Sequence, residues 1–316
     1  MTFLLVSALL LAVQNIIVRV VFQPSPVFGR VLGGWLSPSP VNSLLFLQLR
    51  ALLTFGVMLV VLPRLYPPVL REAIALARES ALLWRVFACG SAFFLTAALL
   101  YFAIAQLPAG IAIALLFVHP VLTVLLAWIL WGDRPTRARV LAMVLVCCGL
   151  VFTIPNRGVA LPTGTVWGAI AALVAGGSVA LYTIGAQRCL QRVRPIPFSL
   201  IVVATILVWS SLSLLWVPEA IAHLNSKVWV AGLLSAAVTC GGQICLNAGI
   251  YRVGAPTAAL IGAVEPGLTA LLAWWIVRET LPPQQAIGIG LVAIGVVALS
   301  LNRQADRSVA FESKEN

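Results

Sequence analysis

Three ionisable side chains fall inside long apolar stretches: Arg50 in LLFLQLRALLTF, His119 in ALLFVHPVLTVLL and Glu265 in IGAVEPGLTALL. A charge at the centre of a bilayer costs from about 2.5 to well over 10 kcal/mol, so such residues are expected to be partnered or functional. His119 and Glu265 share a setting. Each directly precedes a proline, Pro120 and Pro266, and each is followed four residues on by a threonine, Thr123 and Thr269. Proline lacks an N–H and clashes with the carbonyl four residues back, here Leu116 and Gly262, so both helices are expected to hinge and leave a carbonyl unclaimed. A carboxyl and an imidazole at such hinges can hold a polar solute or exchange protons. Plainer roles stay open: Glu265 as a hydrogen-bonded structural carboxyl, and His119 as a neutral imidazole bridging helices. Arg50 can pair with Glu265, receive a substrate carboxylate, or be satisfied by carbonyls and interfacial water.

The elements that must position these residues follow from composition. The chain has 316 residues, 61% hydrophobic and 9% charged. Soluble domains run at about 45–50% apolar and about 25% charged. The long unalternated runs of Leu, Ala, Val and Ile exclude a β-barrel and fit about ten helices of roughly 20 residues each. Punctuation by Pro, Gly and Arg places the spans near 3–21, 42–62, 83–105, 109–131, 138–154, 166–186, 197–217, 228–249, 255–277 and 284–302. No basic residue precedes residues 3–13, so the first is read as a retained span and not a signal peptide. Residues 22–41, with Pro24, Pro26, Pro38 and Pro40, are expected to be an irregular loop. Residues 70–82 are expected to form a surface helix with Leu70, Ile74, Ala77 and Leu82 on its apolar face.

The net charge of +11 comes from basic residues scattered between spans, with no basic stripe or nucleic-acid motif, so no nucleic-acid partner is expected. With the N-terminus cytoplasmic, fourteen of the twenty Lys and Arg fall on the inside and five on the outside, which predicts both termini in the cytoplasm. The six cysteines form no CxxC pair and only two histidines accompany them, so neither a metal nor a cofactor is expected.

The chain also repeats itself. Residues 107–151 match 253–297 without a gap at fourteen of forty-five positions, and VHPVLTVLLAW at 118–128 answers VEPGLTALLAW at 264–274 at eight of eleven. Five spans separate the copies, so they cross the membrane in opposite senses, the inverted repeat of many secondary transporters. These residues, with Trp131-Gly132-Asp133-Arg134 and Arg278-Glu279 closing the two copies, resemble the EamA-type branch of the drug/metabolite transporter superfamily. The likeness runs from Phe3 to Leu301. It departs in lacking, within Leu9–Arg19 and within Val174–Gln187, the Trp that the first helix of each half commonly carries, and in having a longer first outer loop. It implies an all-α integral membrane protein of ten transmembrane helices in two inverted five-helix repeats, 1–155 and 156–302, with a cytoplasmic tail at 303–316. It also implies a cell (inner) membrane location and export of small solutes such as amino acids, nucleobases or drugs.

Further polar residues recur at helical spacing and could line a solute path or join helices: Thr239, Gln243 and Asn247, Gln14 and Asn15, Ser178 and Tyr182, and Tyr101, the counterpart of Asn247. Asn247, Gln243 and Tyr101 are the first candidates for the path. Small residues Ala286, Gly288, Gly290 and Gly295 are expected to serve close packing within one chain or between two, leaving monomer and homodimer open. Asp133 and Glu279 read as helix caps. The leading expectation is a non-enzymatic secondary transporter working by alternating access, with the bilayer and a small solute as partners and protons as a candidate coupling ion. The alternatives are an integral-membrane enzyme using His119 and Glu265 as acid and base, a channel, and a phosphate-sugar exchanger. The last would call for several cations in the cavity, and only Arg50 is available. No GxxxxGK[ST] motif is present to bind ATP.

Overall fold

A computed structural model describes residues 1–37, 39–106, 112, 115–153, 165–214, 225–278, 283–284 and 286–295. The described residues are almost wholly helical. In chain order the helices are α1 (Thr2–Phe22), α2 (Pro40–Leu65), α3 (Val69–Arg78), α4 (Ser80–Gln106), α5 (His119–Trp131), α6 (Arg137–Thr153), α7 (Thr165–Leu190), α8 (Pro195–Leu214), α9 (Ser226–Val253), α10 (Ala255–Gly262) and α11 (Glu265–Ile276). A short apolar helix, α12 (Ala286–Gly295), follows. Seven described segments are long and apolar enough to cross a membrane: α1, α2, α4, α7, α8, α9 and the α10–α11 pair. The other three expected spans coincide with the shorter helices α5, α6 and α12, each next to residues outside the described set.

Local chemistry fixes several starts. Ser39 accepts from the Asn42 amide at 3.2 Å and caps α2, whose first turn holds a proline. Asn225 accepts from Val228 N at 3.0 Å and caps α9. Gly254, at φ +81°, separates α9 from α10, and the Gln187 side chain accepts from the first amide of α10. The surfaces turned away from the bundle carry Leu, Val and Ile, with exposed Trp84, Trp167 and Trp275 near helix ends, as a lipid-facing exterior with interfacial aromatics requires.

Two expectations are corrected. Residues 22–41 are not wholly irregular: Ser25–Val27 (β1) and Arg30–Leu32 (β2) form an antiparallel hairpin. Phe28 and Gly29 turn it at φ +46° and +85°, the left-handed pair that matches the strand twist. The hairpin is tied down. Phe28 N donates to Ile276 O at 3.2 Å, its ring meets Trp275 edge-on, and the amides of Gly34 and Trp35 donate to Val20 and Val21. Gly33 allows this approach, since a Cβ there would sit 2.0 Å from the Val20 carbonyl. The surface helix α3 exists but is shorter, and Leu82 belongs to α4. Its buried residues are Val69 and Leu76, while Leu70 and Ile74 face outward.

The long helices pack across the chain's midpoint: α1 runs along α9, α4 along α7, and α2 with α4 meets α8. At one end of the bundle Arg252 covers the Phe3 ring, Arg188 covers Trp131, and Arg194 sits over Tyr66. Arg194 is also 3.3 Å from Glu72, which accepts from the Tyr66 hydroxyl at 2.7 Å. The hairpin lies at the opposite end, on the last turns of α1 and α11.

Near the centre, one apolar cluster is built from Phe117, Val146, Ala263 and Val292. These are two matched pairs of the internal repeat (263 − 117 = 292 − 146 = 146). The α6–α12 contact is reciprocal in the same way. A Cβ on Gly149 would meet Gly288 O at 2.7 Å and Val292, and one on its match Gly295 would meet Ala142 O at 3.3 Å and Leu145.

Candidate functional site

The helix carrying each proline is broken at the expected place. Phe117 and Val118 form a turn before α5, and Ala263 and Val264 form one before α11, so His119 and Glu265 are the first residues of new helices. Thr123 donates to the His119 carbonyl at 2.7 Å, and Thr269 donates to the Glu265 carbonyl at 2.9 Å. The carbonyl released by Pro120, that of Leu116, is lodged against Gly176 of α7, where any Cβ would lie 2.7 Å from it.

The side chains at the two hinges are treated differently. Glu265 is half-buried, and its Oε1 accepts from Asn15 Nδ2 of α1 at 3.0 Å; the same amide reaches Thr269 Oγ1 at 3.3 Å. Asn15 therefore ties the hinge before α11 to α1. His119 is buried beside the Phe117 ring, and its Nδ1 has no hydrogen-bond partner among the described residues.

A second polar group joins α7, α8 and α9. Gln243 Nε2 donates to Tyr182 Oη at 2.6 Å, Tyr182 donates to Asn247 Oδ1 at 2.8 Å, and Asn247 Nδ2 donates to Ser199 Oγ at 2.8 Å. All four side chains are buried, so the chain is a satisfied network that rigidifies the helix junction. Ser199 completes it, and sequence offers no signal for that, because the serine sits among apolar neighbours as many structural serines do. Tyr101 lies on α4 with its side chain outside the described residues.

Gln243 also borders a cavity of about 40 Å³ between α2, α4, α8 and α9. Arg50, Thr54, Thr239, Phe93 and Phe94 share its wall, and no acidic side chain is among the described lining residues. The volume holds two or three water molecules and no larger solute. Phe93 continues outward to the Tyr182 ring at 4.8 Å, so cavity and network share a wall. The sequence-predicted residues thus fall into two groups. Glu265, Asn15 and Thr269 cluster around one hinge, with His119 and Thr123 at its repeat partner, while Arg50, Gln243, Tyr182 and Asn247 gather at the four-helix junction.

The model of the EamA-like transporter family matches residues 1–154 and 166–301. The chain belongs to that family. An uncharacterized transporter, sll1319, of Synechocystis sp. is 36% identical over 307 residues, 95% of this chain and 92% of that one. YwfM, an uncharacterized transporter of Bacillus subtilis, is 27% identical over 191 residues, 57% of this chain and 60% of its own. A solved crystal structure superposes with a TM-score of 0.71 at 18% identity, covering 96% of this chain and 97% of that one, a likeness of fold. This family member is a multi-pass membrane protein, and its apolar exterior and buried polar centre are those of a membrane transporter.

Proposed function

We propose that this protein is a secondary transporter that exports small organic metabolites, such as amino acids or drugs, by alternating access between two inverted five-helix halves, 1–155 and 156–302. The observation that carries the reading is the matched central cluster: Phe117 with Ala263 and Val146 with Val292 meet where the two Pro-broken helices approach, so each hinge is packed against the counterpart of its own surroundings. The family match in two segments of similar length supports the division. The swapped packing of α1 on α9 and of α4 on α7 supports the opposite sense of the halves. Ten crossings put both termini on one side, and the excess of arginines there makes that side the cytoplasm of a cell with this protein in its inner membrane.

In this mechanism the hinges flex while the packed helices move as bodies. Glu265 is the coupling residue: a half-buried carboxyl held by one neutral amide can take up a proton as one gate opens and release it as the other does. The working unit is a monomer or homodimer in the bilayer, with the solute and protons as its other partners. The test uses purified protein in liposomes, offered amino acids, nucleobases and cationic drugs with and without a pH gradient. Saturable flux with counter-substrate exchange is expected, enhanced by the gradient and losing that enhancement in Glu265→Gln. Non-saturable flux, or chemical turnover of a solute by detergent-solubilised protein, overturns the reading.

A further inference from the structure

Nine serines and threonines of the described helices return their hydroxyl to the carbonyl four residues back. Ser91, Thr96, Thr123, Ser178, Thr183, Ser199, Thr205, Ser211 and Thr269 all do so. That bond is local and available at any helical position, so its absence needs a reason. Thr54 of α2 and Ser235 and Thr239 of α9 are exceptions: all three hydroxyl oxygens are buried and none has a partner among the described residues. Thr54 is 1% exposed. Thr54 and Thr239 come from different helices and line the same cavity, with Arg50 one turn before Thr54, whereas Ser235 is not among its lining residues. Leaving a buried hydroxyl unmatched is unfavourable unless something else takes the hydrogen bond.

Resting on the transporter reading for its role in flux, we propose that this cavity is the solute site and that it recognises a carboxylate attached to an apolar or aromatic group. The lining is rich in donors: a guanidinium, two hydroxyls and the Gln243 amide, with no acidic group among the described lining residues. A planar guanidinium fork matches the two oxygens of a carboxylate, and the two threonines supply hydroxyl donors to lone pairs that the fork leaves open. A single cation suits a monoanion, whereas a phosphate ester would call for further positive charge. Phe93, Phe94, Val203 and Ile206 give the remainder of the solute an apolar enclosure. At about 40 Å³ the cavity is in its contracted form, and α2 with α4 must part from α8 with α9 to admit such a solute.

Binding of radiolabelled phenylacetate to purified full-length protein in detergent tests this. The competitors are acetate, L-phenylalanine, the neutral phenylacetamide and the cationic phenethylamine. The expected order has the two aromatic acids ahead of acetate, with the amide and the amine each weaker than phenylacetate by at least about tenfold. Arg50→Gln is expected to weaken phenylacetate by at least about tenfold, and the paired substitution Thr54→Val with Thr239→Val by about three- to tenfold. The paired variant guards against a folding failure at Arg50: it removes no intramolecular hydrogen bond, so its melting temperature without ligand should equal or exceed the parent's. The proposal is overturned if amide or amine competes as well as acid, if the paired variant binds as the parent does, if its binding falls only together with its melting temperature, or if no carboxylate binds up to about 10 mM. Saturable flux of amines or neutral drugs without carboxylate binding leaves transport standing and removes this site. Arg50-dependent carboxylate binding without flux of any solute does the reverse.

Discussion

At His119–Pro120 and at Glu265–Pro266 the backbone does the same thing: a two-residue turn, a new helix, and a threonine hydroxyl returned to the carbonyl four residues back. The first site nonetheless encloses an imidazole nitrogen with no partner among the described residues, while the second sets a half-buried carboxyl against Asn15. The two joints share one backbone geometry, and among the described residues only the second carries a side chain that accepts from an amide of another helix, Asn15 of α1. Hinge bending and chemistry are therefore separable properties in this fold. One is set by proline and local sterics, the other by a single side chain and what faces it.

The largest test of that separation is at the side chains. Glu265→Gln is expected to lower gradient-driven flux by about 100-fold or more, and His119→Gln by less than about tenfold, measured in proteoliposomes. If His119→Gln is the more damaging, the asymmetry is drawn the wrong way round. Asn15→Leu should fall between them, because it removes the carboxylate's amide donor without removing the carboxyl.

The backbone should respond more evenly. Pro120→Ala and Pro266→Ala each restore an N–H and straighten a helix, so both should slow flux by similar factors, about tenfold, without loss of fold. A difference of more than about tenfold between them would mean the joints are not mechanically equivalent. Gly176→Ala is the local control. Its Cβ would press on the Leu116 carbonyl, and a loss of about 1–3 kcal/mol in unfolding free energy is expected.

The reciprocal glycines offer a smaller effect. Gly149→Ala places a Cβ 2.7 Å from Gly288 O and should cost about 1–3 kcal/mol, while Gly295→Ala, whose nearest contact is 3.1 Å, should cost less. The smallest effect lies at the ends of the broken helices. Gly132 and its repeat match Arg278 both adopt left-handed φ, at +70° and +52°. Gly132→Ala should lose about 1 kcal/mol, and Arg278→Gly should gain up to about 1 kcal/mol in thermal or denaturant unfolding.

The hinges were legible in the sequence because proline imposes its geometry wherever it falls and because VHPVLTVLLAW and VEPGLTALLAW are alike enough to align by eye. The hairpin was not, since Phe28-Gly29 is not the Asn-Gly or Asp-Gly pair that announces such a turn, and four prolines nearby argued for irregular chain. The end of α3 was misplaced, and Leu82 given to it, because no proline or glycine marks the break at Glu79 between α3 and α4. Leu70 and Ile74 satisfy the pattern on the outer side, while Val69 and Leu76 pack inside. At the four-helix junction, Gln243, Tyr182 and Asn247 stood out by type, but Thr54 and Ser199 did not. A helical hydroxyl that bonds its own backbone and one that points into a cavity are the same letter, and only coordinates separate them.

The hairpin joins what the hinges would let separate. Its base is stitched to the last turn of α1, and its tip is bonded to Ile276 and meets Trp275 edge-on at the end of α11. Any stroke that draws those two helix ends apart must first peel the tip away, giving up one backbone hydrogen bond and one ring contact, together about 1–3 kcal/mol. Among the described residues the molecule therefore carries a clasp at one end and none of the same kind at the other. In the proposed alternating-access cycle these contacts would favour the form closed at the clasped end by about fivefold to 150-fold.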